Sequence, residues 1–274
     1  MASYNVENYL KMERRVDGKV VPDAPKPEEE IAAVIRVVKQ INPDILGIVE
    51  MGDEAVLEDF RARLKAAGLD YPNKEWVRGS DPARHLALLS RFPIVDRNSR
   101  NEVPFELNGT QVRLGRGILD VAVKLSDSYS LHLVGAHLKS RREVPEFDQA
   151  AMRAKEALLL REHLNAILKA KPEENLLLFG DLNDTKNEYP VKALTGGSAK
   201  DPLRMKDLFL TDRYGYRWTH YWQAADIYSR IDYLMVSMGL WPEINMDKSG
   251  ISSSKIWFKA SDHRAIFTTI KVPE

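Results

Sequence analysis

The sequence of 274 residues contains no cysteine, which excludes disulfides, thiolate metal sites and a cysteine nucleophile. It also lacks an excess of charge of either sign, because 40 basic residues balance 40 acidic ones. An anionic substrate must therefore be held by a local cluster of cations rather than by an overall positive field. Long hydrophobic runs are missing too, since none approaches the roughly 20 residues that a membrane-spanning helix needs.

What is present is a globular composition. Hydrophobic residues make up 44% and charged residues 29% of the chain, which argues against a disordered or coiled-coil protein. We find no repeat, low-complexity tract or extended linker, so we expect residues 1–274 to form one soluble, monomeric domain. The sequence does not indicate a compartment. A strand-like segment begins at Ala2, and this abrupt start suggests that an export signal has been trimmed.

Short β-rich runs alternate with amphipathic helices. Acidic residues at 28–30 suit a first helical turn, and apolar residues recur with helical spacing up to Asn42-Pro43. Further helices are predicted around residues 57–64, closed by Gly68, and from about Phe147 to Leu168. The predicted strands cover residues 2–6, 45–49, 86–89, 117–125, 130–138, 176–179, 231–236 and 265–272. Alternation at both ends around a hairpin-rich centre predicts two mixed β-sheets packed face to face with helices outside.

Polar side chains recur where the predicted strands begin or end. They are Glu50, His137, Asp181 with Asn183, Asp232, and Asp262-His263. Strand ends are where sheet proteins assemble sites, because the sheet fixes positions and the loops give access.

Taken one at a time, these residues also have purely structural explanations. Glu50 suits the first turn of a helix, and Asp181 with Asn183 suits an Asx turn. His137 suits a buried histidine bonded to the backbone, and Asp262-His263 suits a surface turn.

Taken together, the polar residues have a chemical logic. Carboxylate and amide oxygens come from Asn5, Glu50, Asp181, Asn183 and Asp262, and oxygen donors without thiolates favour Mg²⁺ or Mn²⁺ over zinc. Hydrolysis of a phosphate ester needs a metal, a base for water and cationic groups for the developing charge. The sequence has no G-x-S-x-G elbow, Walker loop or G-x-G-x-x-G run that would point to another chemistry.

Seven short motifs occur in a characteristic order along nearly the whole chain. They are Ser3–Asn8, Ile48–Glu50, Leu88–Arg91, Gly135–Ser140, Gly180–Asn183, Arg230–Tyr233 and Ser261–His263. This series resembles the endonuclease/exonuclease/phosphatase superfamily, which includes pancreatic deoxyribonuclease and exonuclease III-type apurinic endonucleases. The resemblance implies an α/β fold, a four-layer α/β sandwich, and metal-dependent hydrolysis of phosphoesters.

The resemblance also implies the metal ligands. Glu50 is implied as the principal ligand, helped by Asn5 and by Asp262 on the opposite lip of the site. The implied cofactor is Mg²⁺ or Mn²⁺, with one ion bound tightly and a second able to enter with the substrate.

Catalytic roles follow from the same resemblance. His263 is implied to contact the phosphate or act as general base, oriented by Asp232. Asp181 and Asn183 are implied to position the attacking water and the phosphoryl oxygens. His137 is implied to stabilise the phosphate charge or to help protonate the leaving oxygen. Coupled groups resist single assignment, so the residue that takes the proton stays open.

Basic residues near these motifs are candidates for binding substrate phosphates. Lys139 and Ser140 follow His137, and Arg153 comes one helix later. Arg113 and Arg116 are a second candidate clamp. The alternative is that these charges only form a solvated surface.

The substrate is the least determined part of the prediction. Leu-Lys-Ser follows His137 where apurinic endonucleases have a Gly-Tyr-x-Pro-Asn type of sequence, which disfavours abasic-site specificity. Six aromatic residues crowd positions 214–228, either as a packed loop or as a platform on which bases stack. We expect no exposed aromatic hairpin of the membrane-docking kind.

Three hypotheses remain for the function. The first is a nuclease or general phosphodiesterase of low sequence specificity, acting on nucleic acid or another phosphodiester. The second is a phosphatase or phosphodiesterase for a small-molecule or lipid-headgroup phosphate, of the inositol phosphate or sphingomyelin type. The third is a catalytically silent binding protein, which is disfavoured because Glu50, Asp181 and His263 keep the expected chemical types.

Overall fold

The chain is described from a computed structural model, in which residues 1–142, 148–196, 198 and 201–272 are placed well enough to describe. The strands of this part, in chain order, are β1 (Ala2–Tyr9), β2 (Met12–Val16), β3 (Lys19–Ala24), β4 (Ile45–Met51), β5 (Asn73–Val77), β6 (His85–Ser90), β7 (Ile94–Arg97), β8 (Pro104–Leu107), β9 (Thr110–Arg113), β10 (Leu119–Lys124), β11 (Ser130–His137), β12 (Leu176–Asp181), β13 (Lys206–Asp207), β14 (His220–Trp222), β15 (Ile227–Ser229), β16 (Asp232–Val236), β17 (Ile244–Ile251) and β18 (Ile266–Ile270). The α-helices are α1 (Glu28–Ile41), α2 (Glu54–Ala66), α3 (Gln149–Ala170), α4 (Tyr189–Thr195) and α5 (Trp257–Ala260), and short 3₁₀ turns cover Gln223–Ala225 and Trp241–Glu243.

Two six-stranded sheets form the centre of the fold. The first has the strand order β17-β18-β1-β4-β6-β5, and the second has the order β13-β16-β12-β11-β10-β7. Each sheet is mixed, because the parallel pairs β1/β4 and β11/β12 lie among antiparallel neighbours. Three hairpins, β2–β3, β8–β9 and β14–β15, stand apart from the two sheets.

Three apolar clusters define the layers. One cluster lies between the sheets and includes Val49, Leu88 and Phe179. A second joins the first sheet to α1 and α2, and a third joins the second sheet to α3 and α4. The predicted four-layer α/β sandwich, with two mixed sheets face to face and helices outside, is confirmed.

The two sheets are in close contact around Phe179. A Cβ atom added to Gly47 of the first sheet or to Gly135 of the second would overlap the Phe179 ring. Only glycine therefore fits at these two positions, and the ring fills the space that they leave. Phe179 lies two residues before Asp181, so this contact fixes the edge where the polar strand ends meet.

Local signals explain where the helices begin and end. Helix α1 ends at Ile41, directly before Asn42-Pro43 as the sequence predicted. Asn42 has a left-handed φ of 51°, and its N–H bonds to the carbonyl of Val38. Helix α3 begins after Asp148, whose carboxylate caps two backbone N–H groups. Its predicted start at Phe147 lies outside the described residues.

A polar cluster is buried on the outer face of the second sheet. Asp120 lies 2.7 Å from Nε2 of His132 and 2.7 Å from Nε2 of His163. Nδ1 of His132 lies 3.3 Å from Glu174. The cluster ties β10 and β11 to α3.

The hairpin β14–β15 corrects one expectation. Trp222, Ile227 and Tyr228 on this hairpin are each about half exposed, so the expectation of no exposed aromatic hairpin is wrong. Among the described residues, we find no helix with the length and apolar character needed to cross a bilayer.

Candidate active site

Strands of both sheets bring the polar residues to one edge of the sandwich. Asn5 and Glu50 come from β1 and β4 of the first sheet. On the second sheet, β11 pairs His137 with Asp181, and β16 pairs Asp232 with Asp181. Three neighbouring strand ends therefore present an imidazole and two carboxylates side by side.

Asn5 links the two sheets at this edge. Its Nδ2 donates a 3.1 Å hydrogen bond to Oδ2 of Asp181 and lies 3.3 Å from Nε2 of His263. Its Oδ1, the atom that the sequence assigned to a metal, accepts the backbone N–H of Glu7 at 3.0 Å. A second lone pair remains on this oxygen, so the Asn5 amide holds Asp181 and keeps one further acceptor position.

Glu50 has an unusual backbone conformation. Its φ is 64° inside strand β4, and Glu7 and Asn8 on the adjacent strand also have positive φ. The strained segments bring the Asn8 N–H within 2.9 Å of Glu50 Oε2, while Oε1 lies 3.9 Å from Nε2 of His137. Helix α2 begins only at Glu54, capped by Asp53, so Glu50 is not a first-turn acid. Backbone strain of this kind costs about 1–3 kcal/mol and concentrates at functional sites.

His263 and Asp232 form a buried pair. Asp232 Oδ2 lies 2.8 Å from His263 Nδ1, and both residues are about 95% buried. Burial disfavours the charged imidazole, but the nearby carboxylates of Asp232 and Asp262 outweigh it and raise the pKa of His263 well above its usual range. The pair therefore holds a cation that faces the site with a fixed ring orientation.

Asp181 is the most enclosed carboxylate of the site. Burial and the charge of Asp232 raise the pKa of Asp181 to about 7. Its Oδ1 accepts the backbone N–H of Asn183 at 2.8 Å, so the Asx turn allowed by the sequence is present. Its Oδ2 lies 3.8 Å from Nε2 of His137 and 3.7 Å from Nε2 of His263. Asp181 therefore lies between the two histidines.

His137 differs from His263 in charge. Burial, followed by the positive charges of Arg116 and His263, lowers the pKa of His137 well below its usual range. Its Nδ1 has no hydrogen-bond partner among the described residues. At neutral pH this imidazole is therefore uncharged, beside a charged one.

Asp262 lies next to two residues that the sequence reasoning missed. Glu7 Oε2 accepts the backbone N–H of Asp262 at 3.0 Å, and burial together with Asp262 raises the pKa of Glu7 to about 7. Nε2 of His220 lies 3.7 Å from Asp262, and the His220 ring lies 4.6 Å from that of His263. The sequence could have indicated Glu7, because it follows Asn5 by two positions on the same strand. The sequence could not have indicated His220, because its position depends on a β-bridge to His263, far along the chain.

The donor set fits a hard divalent cation. Two groups have ligand atoms within 4.8 Å of one another, His220 with Asp262 and His263, and Asp181 with Asp232 and His263. Of the predicted metal ligands, these groups include Asp262 but not Glu50 or Asn5. The Asn8 Oδ1 beside Glu50 is buried and has no hydrogen-bond partner in the described part of the chain. Neighbouring carboxylates that repel each other and an unpaired amide oxygen are both satisfied by Mg²⁺ or Mn²⁺.

Two of the predicted phosphate-binding residues lie beside His137. Arg116 is almost fully buried, and its Nη2 lies 3.2 Å from Asp81. Burial and the Arg116 charge lower the pKa of Lys139, which places these two cations close together. Arg84, which the sequence reasoning did not single out, lies 3.9 Å from Glu50. Three cations therefore lie near one another, with the carboxylates of Asp81, Glu50 and Glu156 among them.

Other predicted phosphate-binding residues have protein partners. Arg153 is buried, donates to Asp184 at 2.8 Å, and bonds the carbonyls of Lys139 and Ser140 at 3.3 and 3.5 Å. It thus holds the segment that follows His137. Arg113 lies exposed on the β8–β9 hairpin and pairs with Glu102 at 3.1 Å.

Comparisons with known structures show where this fold occurs. The human nocturnin catalytic domain, solved with a bound sulfate anion, has a TM-score of 0.66 and 16% identity, covering 98% of this chain and 94% of that one. An endonuclease/exonuclease/phosphatase from Bacteroides vulgatus has a TM-score of 0.66 and 16% identity, covering 99% and 98%. Truncated TDP2 of Caenorhabditis elegans has a TM-score of 0.59 and 18% identity, covering 89% and 90%. At such identities the likeness concerns the fold alone.

Sequence comparison is more specific about the family. No curated protein matched the chain. The sequence model described as the Endonuclease/Exonuclease/phosphatase family matches residues 2–263, which includes every strand end of the site. The chain therefore belongs to the endonuclease/exonuclease/phosphatase family.

Proposed function

We propose that this protein is a divalent-metal-dependent phosphoester hydrolase and, within that class, a phosphodiesterase or nuclease of low sequence specificity. Membership of the family supports the hydrolysis of phosphoester bonds. The observation that carries the proposal is the 3.1 Å contact of Asn5 with Asp181, which joins the carboxylate edge of one sheet to that of the other. The match over residues 2–263 supports a single catalytic domain, which we propose acts as a monomer.

The metal site is proposed from the oxygen donors. Glu50, Asn5 and Asp262 would hold one Mg²⁺ or Mn²⁺, and Glu7 beside Asp262 would add a carboxylate for a second ion. When bound, the ion supplies a Lewis acid that polarises a phosphoryl oxygen.

The protein's own residues divide the remaining work. Asp181 has a pKa near 7, so it is suited to orient water and accept its proton at neutral pH, and Asn183 fixes its carboxylate. His263, kept charged by Asp232, faces the phosphate as a cation. His137, which is uncharged, donates a hydrogen bond toward the leaving oxygen.

Low sequence specificity follows from the charge distribution. The cations beside His137, namely Arg116, Lys139 and Arg84, attract a phosphate whatever its neighbours are. The bound sulfate of the nocturnin structure is an analogue of phosphate and supports anion binding on this fold.

A substrate panel tests the proposal. Purified protein is assayed on bis-p-nitrophenyl phosphate, p-nitrophenyl phosphate, plasmid, single-stranded DNA, RNA and an inositol polyphosphate, each with Mg²⁺, with Mn²⁺ and with EDTA. We expect metal-dependent cleavage of the diester and of nucleic acid. Activity confined to the monoesters, or activity that survives EDTA, contradicts the proposal.

A second candidate is a lipid-headgroup phosphodiesterase. The exposed Trp222 and Ile227 on the β14–β15 hairpin favour it, because an apolar hairpin beside a site can enter a membrane interface. Hydrolysis of sphingomyelin vesicles in the same panel, faster than that of nucleic acid, selects this candidate.

A further inference from the structure

An aromatic cleft of about 570 Å³ has Arg264 and Tyr228 in its lining. Tyr228 pairs with Tyr221, whose backbone N–H bonds to the carbonyl of Asp262 in the candidate active site. Trp218 lines the cleft, and the rings of Tyr228 and Trp257 approach Trp218 edge-on at 4.8 and 4.9 Å between centroids. One face of the Tyr228 ring stacks on Tyr221 at 4.4 Å. Arg264, the residue after His263, stacks on Trp218 at 4.1 Å. We call this space the aromatic cleft.

The charges of the aromatic cleft are positive. Arg213 and Lys255 lie exposed on its rim. Among the described residues that line it, the one carboxylate is Asp212, which is buried in a 2.8 Å ion pair with Arg264. Asp212 also accepts the backbone N–H groups of Tyr214 and Tyr216, so its charge is fully engaged by the protein.

This charge pattern decides between two ligands that aromatic walls can hold. A quaternary ammonium headgroup is attracted by ring faces, but Arg213 and Lys255 repel it. A flat heteroaromatic ring that carries an adjacent phosphate gains from both features, since rings stack and cations attract the phosphate.

From these observations we propose that the aromatic cleft binds the nucleobase of a nucleotide next to the phosphodiester that the enzyme cleaves. The inference rests on the proposed function and narrows its substrates to nucleotidyl diesters with an unpaired base. A base must leave its duplex stack to reach a pocket of this kind, so single-stranded or frayed nucleic acid is the preferred form.

The first test compares substrates that differ only in the base. The 5′- and 3′-p-nitrophenyl phosphate esters of thymidine are each compared with the analogue that lacks the base. The leaving group and metal chemistry are the same within each pair, so the ratio of kcat/KM reports the base. We expect base removal to lower kcat/KM of at least one isomer by about tenfold or more.

Two variants and two matched controls locate the effect. Tyr228→Ala and Lys255→Glu should bring the ratio toward one. Phe258→Ala and Lys259→Glu change exposed residues on the neighbouring helix α5 that do not line the aromatic cleft, and they should keep the wild-type ratio. Lys255 is exposed, so its variant gives an answer even where Tyr228→Ala fails to fold.

Binding in EDTA tests the cleft independently of hydrolysis. Trithymidylate should quench the tryptophan fluorescence of the wild type, and an abasic trimer should not. Equal quenching by the two trimers, or a ratio near one for both isomers while diesters are cleaved, overturns the inference and leaves the proposed function standing. Failure to cleave any diester with metal present, with base-dependent quenching retained, refutes the proposed function instead. Preferential hydrolysis of sphingomyelin vesicles overturns the inference in favour of a headgroup.

Discussion

Replacing Asp232 with Asn removes the charge that holds His263 while keeping the shape of the side chain. The carboxylate lies 2.8 Å from Nδ1 of a histidine that is almost fully buried. Asp232→Asn should therefore change the charge and orientation of one imidazole.

The size of the effect follows from the geometry. Two unit charges 2.8 Å apart interact by about 6 kcal/mol at an effective dielectric constant of about 20, which is an upper bound. Asp181 and Asp262 remain at 3.7 and 3.8 Å from Nε2 in the variant, so only part of this interaction is lost. A hydrogen bond between charged groups contributes about 1.5–3 kcal/mol. We therefore expect turnover to fall by roughly 10- to 100-fold.

Two measurements check this prediction. The first is kcat/KM on bis-p-nitrophenyl phosphate as a function of pH. The carboxylates around His263 raise its pKa, so losing one of them must lower that pKa. The limb of the profile that His263 governs should move to lower pH. The second measurement is an NMR titration of the His263 ring in metal-free protein, which should show the same direction.

Asp120→Asn is the matched control, because Asp120 is also a buried carboxylate that holds histidines, on the outer face of the second sheet. At temperatures where this control is folded, it should keep wild-type turnover and an unmoved pH profile. If Asp232→Asn behaves like the control, or if its His263 pKa rises, the assigned pairing is refuted.

Three further predictions concern stability and metal binding. The Asp120 pKa is lowered to about 2, because its two histidine partners outweigh burial, and the pKa of His132 is raised by Asp120 against burial. The stability that this cluster contributes is therefore lost as pH falls toward 2 or rises through the raised His132 pKa. In urea unfolding, Asp120→Asn should lower the free energy of unfolding by about 3 kcal/mol at pH 5.5 and by clearly less at pH 9. An equal loss at the two pH values contradicts the assignment. Glu50→Gln should raise the Mg²⁺ concentration for half-maximal activity by at least about tenfold, with calorimetry showing weaker binding; unchanged affinity argues against a ligand role. Gly180 has a φ of 137° and no room for a Cβ against the backbone of β11. Gly180→Ala should therefore lower the free energy of unfolding by more than about 3 kcal/mol. The control Gly68→Ala, at positive φ in open space, should lower it by about 1 kcal/mol.

Much of the fold was predictable because its elements have strong local patterns. Helix α1 combines an acidic first turn with an apolar stripe, and Asn42-Pro43 ends it. The long apolar run that ends at Asp181 predicted strand β12. Polar residues that directly follow such runs predicted which strand ends meet, although the chemical roles of these residues stay predictions.

What the sequence did not reveal depends on tertiary contacts. Glu7 reaches Asp262 only because the backbone bulges between Asn5 and Tyr9. Arg153 looks like a phosphate ligand in sequence, but the structure gives it a buried carboxylate partner, Asp184. The sequence shows an arginine whether the side chain binds substrate phosphate or a buried carboxylate, so only the fold distinguishes these two roles.

The edge that carries the candidate active site is shared by two sheets that are separate hydrogen-bonded units. The distance between the site residues of the two sheets therefore depends on how the sheets are positioned relative to each other. The Phe179 ring, packed against Gly47 and Gly135, restricts that position. If the proposed site is correct, mild denaturant that loosens this contact should abolish activity before the secondary structure is lost.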